Sequence, residues 1–182
     1  GVTYEREYFA SYPDKVLAVR LTASKPGALN FTYRPTIPFV RDYDREPGDG
    51  GGRTANIEID GNRAVMHGQM NFYRIQYAAY SSVDTDGTVT GEKDAIRVDG
   101  ASYAVIYFCA DTNYKISPRV FLEEDPAKKL DYEDVRPRVS GMLTAAELIG
   151  YDNLKERHIE DYRSIYARTE FEIDGVEVPD VE

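Results

Sequence analysis

The residue types able to act as acids, bases or ligands are unevenly spread along the chain. Six carboxylates, Glu123, Glu124, Asp125, Asp131, Glu133 and Asp134, crowd one stretch. Two carboxyl groups held at a fixed gap, with pKa values pushed apart by their surroundings, can perform acid–base hydrolysis. Neighbouring acids in a polar stretch instead read as a solvated face, so no catalytic pair is assigned. The imidazoles His67 and His158 and the single cysteine, Cys109, lie far apart in sequence. None belongs to a short-spaced pair such as HExxH or CxxC, so neither a metal site nor a cofactor is expected. His158 falls on the apolar stripe of a helical phrase, a place for a packed, hydrogen-bonded ring rather than a general base. Serines such as Ser11 and Ser140 lack a Gly-x-Ser-x-Gly setting. The glycine run GDGGGR, Gly48 to Arg53, leads into a strand-like phrase rather than a helix and lacks the Lys of a phosphate cradle, so it reads as a flexible loop. Asn30 opens an NFT sequon inside a predicted strand and reads as a chance match.

Something must position any site, and the composition bounds what that can be. A chain of 182 residues can bury roughly 70% of its unfolded surface, which is enough for a sizeable core. Its 15 Tyr and 7 Phe suit a packed domain rather than a disordered one. The formal net charge of −10 repels phosphate backbones and anionic lipid heads, so nucleic acid is excluded as an expected partner. The longest apolar run, YAVIYFCA around Cys109, is far shorter than the ~20 residues that span a bilayer, so no membrane insertion is expected. Cys109 inside it reads as a small buried hydrophobe.

From Val2 to about Asp111 the signal is period-two alternation broken by turns. VLAVRLTA and LNFTYR place Leu17, Val19 and Leu21, then Leu29, Phe31 and Tyr33, on single faces around SKPG, which predicts a hairpin. Asp60-Gly61 and Asp86-Gly87 are further turn signals, since glycine reaches positive φ without steric cost. FYRIQYAAY alternates as a half-buried strand, whereas AIRVDGASYAVIYFCA ends apolar on both faces, as a central strand covered on two sides would. These features predict a mainly β fold, a partial antiparallel β-sandwich over 1–116. A charged, proline-containing loop follows over 117–136, then a pair of linker helices over 137–168 and a terminal strand or tail over 169–182. Val139, Met142, Leu143, Ala146 and Ile149 form the stripe of the first helix, closed by Gly150. Tyr151, Leu154, His158, Ile159, Tyr162, Ile165 and Tyr166 form that of the second, with Asp152 in its first turn.

Four phrases are more specific than these patterns. TYEREYFASYPDKVLAVRLTASKPGALNFT (3–32), HGQMNF (67–72), GTVTGEKDAIRVDGASYAVIYFCADTNY (87–114) and YDNLKERHIEDYRSIYARTEFEI (151–173) closely resemble, in this order, the later part of the N-terminal β domain of glycoside hydrolase family 95, the α-L-fucosidase family. The resemblance implies a β-supersandwich and linker helices, with the family continuing into an (α/α)6 barrel that holds the catalytic acid and base. No catalytic residue carries over to this chain. The expected partner is therefore that missing catalytic barrel, and beyond it a fucosylated or galactosylated glycan. If any segment reaches the rim of a sugar pocket, it is CADTNY at the end of a strand, where Asn113 offers a polar contact and Tyr114 a ring. A strand-end turn capped by Asn113 is the competing reading. The alternative function is a free-standing carbohydrate-binding sandwich using exposed Tyr rings, which the absence of Trp weakens.

Overall fold

The computed structural model describes residues 1–37, 53–70, 72–170 and 175. In chain order the strands are β1 (Tyr4–Ser11), β2 (Val16–Ala23), β3 (Leu29–Tyr33), β4 (Arg53–Asp60), β5 (Arg63–Met70), β6 (Gln76–Thr85), β7 (Thr88–Gly91), β8 (Ile96–Ala101) and β9 (Tyr103–Thr112). Helices α1 (Pro118–Leu122), α2 (Arg136–Ile149) and α3 (Tyr151–Tyr166) follow. The strands form a six-stranded sheet, β1-β2-β9-β6-β5-β4, and a three-stranded sheet, β3-β8-β7, both antiparallel. The fold is thus mainly β with a C-terminal helical pair, as the alternation predicts. The GDGGGR loop, apart from Arg53, and the expected terminal strand, apart from 169, 170 and 175, lie outside the described residues.

The six-stranded sheet is a middle layer, because apolar residues alternate onto both of its faces. Toward the smaller sheet, Ala64, Val83, Ala104 and Ile106 meet Leu29, Ile96, Val98 and Ala101. Toward the helices, Ala18, Ala78, Val105, Tyr107 and Cys109 meet Val135, Val139, Leu143, Ala146, Tyr151 and Leu154. Strand β9 supplies residues to both cores from its place between β2 and β6, which is what its unbroken apolar run requires. Cys109 is buried there, and loss of solvent pushes its thiol up to about 11. Each large apolar side chain so covered contributes roughly 1.5–3 kcal/mol.

The predicted hairpin around SKPG is not formed. β2 pairs with β1 and β9, whereas β3 pairs with β8, so residues 24–28 carry the chain from one sheet to the other. A turn between two alternating runs serves either purpose. Here Leu21 and Phe31 pack into the same inter-sheet core, and burial across layers takes precedence over pairing within one. Asp86-Gly87 marks another crossing, from β6 to β7, while Gly61 (φ 58°) lies in a true hairpin turn in which Asp60 pairs with Arg63. A third crossing joins β8 to β9, and all three meet at Ser102. Its N–H donates to Asp86 Oδ1 (2.7 Å), its carbonyl accepts from Ala23 N–H (2.9 Å), and its hydroxyl accepts from Gly27 N–H (3.2 Å). Asp86 also accepts from Tyr103 N–H, and these backbone donors hold its carboxyl below the usual range.

The helices are fixed at both ends of their contact with the sheet. Arg138 near the start of α2 donates to Asp111 (2.7 Å), to Glu133 and to the Thr112 carbonyl, tying the helix to the end of β9. At the far end Gly150 takes a positive φ of 78°, which only glycine adopts freely, and α3 turns across β1 and β2. There Asp152 pairs with Arg20 (3.1 Å), Lys155 and the Tyr151 hydroxyl reach Glu7, and Arg157 reaches Asp14. Exposed pairs of this kind are worth only about 0–1 kcal/mol each. Leu154, fully buried against the sheet, is therefore the main hold on α3.

Candidate functional site

The best-formed polar hollow lies where the 126–136 segment passes over the ends of β5 and β6. Its cavity volume is about 300 Å³, and its lining includes His67, Gln69, Gln76, Tyr77, Tyr132, Asp134 and Arg136. A smaller hollow of about 190 Å³ adjoins it, lined by Arg74, Ala127 and Leu130 together with Gln69, Gln76 and Tyr132. Those three shared residues form the seam between the two hollows.

Strand geometry and a relay of amides set the seam. Gln69 and Gln76 are opposite partners in the β5–β6 ladder, and Gln76 Nε2 donates to Gln69 Oε1 at 2.9 Å. Asn113 fixes Gln76 in turn: its Oδ1 accepts from Gln76 N–H (2.9 Å) and its Nδ2 donates to Gln76 Oε1. The same Nδ2 donates to the Asp131 carbonyl (2.9 Å), beside Tyr132. At the larger hollow Asp134 pairs with Arg136 at 2.7 Å. Arg136, through its guanidinium and its backbone N–H, holds the Asp134 carboxyl down to about 2. His67 Nε2 lies 3.6 Å from Glu58. At the smaller hollow Tyr73 and Arg74 both have positive φ, 55° and 53°, a conformation that costs a non-glycine residue about 1–2 kcal/mol.

The residues singled out from the sequence fall into this geometry unevenly. Asn113 is 4% exposed and its amide is fully engaged, so it positions Gln76 and Asp131. Tyr114 is partly open, with its N–H donating to Thr112 Oγ1 (3.2 Å). Neither lines either hollow. His158 stacks on Phe9 (5.2 Å between ring centres) within a run of rings that continues to Tyr162 and Tyr166. Asn30 uses its Oδ1 to accept from Gly100 N–H. Acids of the crowded stretch are matched with cations: Asp125 with Lys128, Asp131 with Arg119, Glu133 with Lys115 and Arg138, Asp134 with Arg136. Their carboxyls are all held below the ordinary range, opposite to the direction a general acid needs. Among the described residues no three His, Cys, Asp or Glu side chains are grouped to hold a metal, and no described helix is long and apolar enough to cross a membrane.

Sequence reasoning missed Gln69, Gln76 and Tyr132, because the relay joins strands and a loop far apart along the chain. The available signal was HGQMNF, a polar interruption in an otherwise alternating strand. Asn113→Ala should cost about 2–3 kcal/mol, because it removes three side-chain hydrogen bonds and leaves the Gln76 N–H without its acceptor. Urea unfolding checks this, and a loss under about 1 kcal/mol would mean the clasp is dispensable.

Comparison with known proteins places this architecture. The chain is 23% identical over 191 residues to alpha-L-fucosidase 2 of Arabidopsis thaliana, covering 96% of this chain and 21% of that protein. It is 24% identical over 178 residues to the probable alpha-fucosidase A of Aspergillus niger, covering 92% of this chain and 20% of that one. The chain thus spans about one fifth of the length of these relatives. A family model described as glycosyl hydrolase family 65, N-terminal domain, matches residues 1–117, from β1 to the strand end beyond β9. The number differs from the family 95 of the sequence resemblance, whereas the fucosidase-type relatives and the N-terminal placement agree with it. On the match to its β region, the chain belongs to the glycosyl hydrolase family 65 N-terminal domain family.

Proposed function

We propose that this chain is the non-catalytic N-terminal β region of an inverting glycoside hydrolase of the α-L-fucosidase or α-galactosidase type, and that it buttresses a catalytic (α/α)6 barrel lying elsewhere in the polypeptide. One observation carries the reading. The apolar stripe of α3 is covered only over its first half: Tyr151 and Leu154 are buried, but Tyr162, Ile165 and Tyr166 are 55–65% exposed. A stripe that keeps its period for two turns past the sheet is built to meet another apolar surface. In such an enzyme a protonated carboxylic acid assists the leaving group while a carboxylate activates water, the two roughly 6.5–9.5 Å apart. The lowered carboxyls of residues 125–134 suit neither a raised-pKa acid nor a gap held in an apolar site. A contribution to the pocket rim falls to Tyr114, since the amide of Asn113 is already engaged.

The double substitution Ile165→Asp with Tyr166→Asp tests the buttress. In the 182-residue chain alone it should change stability by no more than about 0.5 kcal/mol, because both side chains face solvent. In the full-length polypeptide it should lower the melting temperature by several degrees, about what 1–2 kcal/mol produces, and speed loss of fucoside hydrolysis on warming. Equal effects in both contexts would refute docking through α3. Hydrolysis by the short chain alone, abolished by changing one of its own carboxylates, would refute the non-catalytic reading.

A further inference from the structure

We propose that the twin hollow around Tyr132 is a binding site for a neutral carbohydrate of two linked rings. The inference does not depend on how α3 docks.

Three features point to such a ligand. First, the shape is double. Two adjoining hollows meet at Gln69, Gln76 and Tyr132, so a ligand of two units can fill both while touching the same seam. Second, the chemistry is that of hydroxyl recognition. Gln69 has its Oε1 occupied by Gln76, which leaves its two Nε2 hydrogens without a partner among the described residues. Gln76 has its Oε1 occupied by Asn113, so it has one further N–H to give. Amide donors set beside the Asp134 acceptor match groups that both give and take hydrogen bonds, as sugar hydroxyls do. Tyr132 stands 77% exposed between the hollows, a large ring with an apolar face and a polar tip. Third, the charges cancel locally. Asp134 faces Arg136 at 2.7 Å, and Arg74 acts on Asp125, in a chain whose overall charge is −10. A charge-balanced hollow has no counter-ion to offer an anion or a cation, so an uncharged ligand fits it.

The site is also preorganised. Gln76 is held by the buried Asn113 through both backbone and side chain, so its amide is aimed before any ligand arrives and little ordering cost remains. The consecutive left-handed residues Tyr73 and Arg74 hold the turn between β5 and β6 beside the smaller hollow. Backbone strain of this kind persists where the surroundings over-determine it, as at ligand clamps.

The test uses the 182-residue chain, titrated with lactose, cellobiose and maltose, with L-fucose and D-galactose as single rings, and with glucuronic acid as a charged ring. Amide NMR signals are followed, including the side-chain NH2 groups of Gln69 and Gln76. At least one disaccharide should shift those two groups with a Kd of about 1 mM, and single rings should bind at least about tenfold more weakly. Tyr132→Ala should weaken binding by about tenfold or more, and Tyr132→Phe should retain it, because the ring face rather than the hydroxyl makes the contact. Both variants should keep the wild-type unfolding curve, since the ring is exposed. Three outcomes overturn the proposal: no shift of the Gln69 and Gln76 groups with any disaccharide at about ten times that concentration, shifts that survive Tyr132→Ala unchanged, or preferential binding of glucuronic acid.

Discussion

Gly68→Ala is expected to destabilise the domain by about 3 kcal/mol or more and to loosen β4 from the sheet. Gly68 sits inside β5, opposite Ala55 of β4 and Tyr77 of β6. Tyr77 lays its ring over the glycine and donates its hydroxyl to the Thr54 carbonyl at 2.7 Å, a cross-strand brace that needs a bare position beneath it. A Cβ at residue 68 would stand 2.0 Å from the Thr54 carbonyl oxygen, 2.9 Å from its carbon and 2.6 Å from the Tyr77 hydroxyl. The tyrosine could swing away. The Thr54 backbone cannot, unless β4 moves and breaks its ladder with β5. Urea unfolding should report the loss, and amide exchange in β4 should accelerate more than in β9. Retention of wild-type stability would show that the strands adjust at no cost. Tyr77→Phe separates the two contributions. It keeps the ring and loses one hydrogen bond, so it should cost about 1 kcal/mol.

Leu154→Ala should cost about 3 kcal/mol and free α3 from the sheet while leaving the sandwich intact. Leu154 is fully buried in the core made by β2, β6 and β9 with α2 and α3. The contacts that would remain are the ion pairs at Arg20, Glu7 and Asp14 and the packing of Tyr151 and His158 around Phe9. Solvent-facing pairs are too weak to hold a helix alone. Loss of helical circular dichroism at a lower urea concentration than loss of strand signal would reveal the uncoupling. Leu148→Ala, on the open side of α2, serves as control and should stay within about 0.5 kcal/mol of wild type. If both variants unfold alike in one transition, α3 is not held through Leu154.

How far the fold could be read in advance depended on whether the signal was local. The double-sided apolar run of β9 announced its central place, because a strand covered on both faces must carry apolar residues at odd and even positions alike. The helical stripes were legible for the same reason, down to Leu143 and Leu154. SKPG misled, since a turn signal records that the chain bends but not which strand it rejoins. The far end of α3 is a subtler case. Its period correctly placed Tyr162, Ile165 and Tyr166 on the side of Leu154, yet the sheet stops short of them. The twin hollow was not legible at all. It depends on Gln69, Gln76, Asn113 and Asp131 meeting in space, and amides scattered over 62 positions leave no periodic trace.

The strand order has a consequence for how this protein is born. The strand at the middle of the large sheet, β9, is the last of the nine to leave the ribosome, and the strands it will join, β2 and β6, are made well before it. A nascent chain not yet extended past Tyr103 therefore holds two separate antiparallel units, β1–β2 and β4–β5–β6, each with an open margin where β9 belongs. Arrival of this keystone closes both gaps at once and joins residues some thirty to ninety positions apart. Such late, long-range closure slows assembly and leaves the unfinished margins open to foreign strands while they wait.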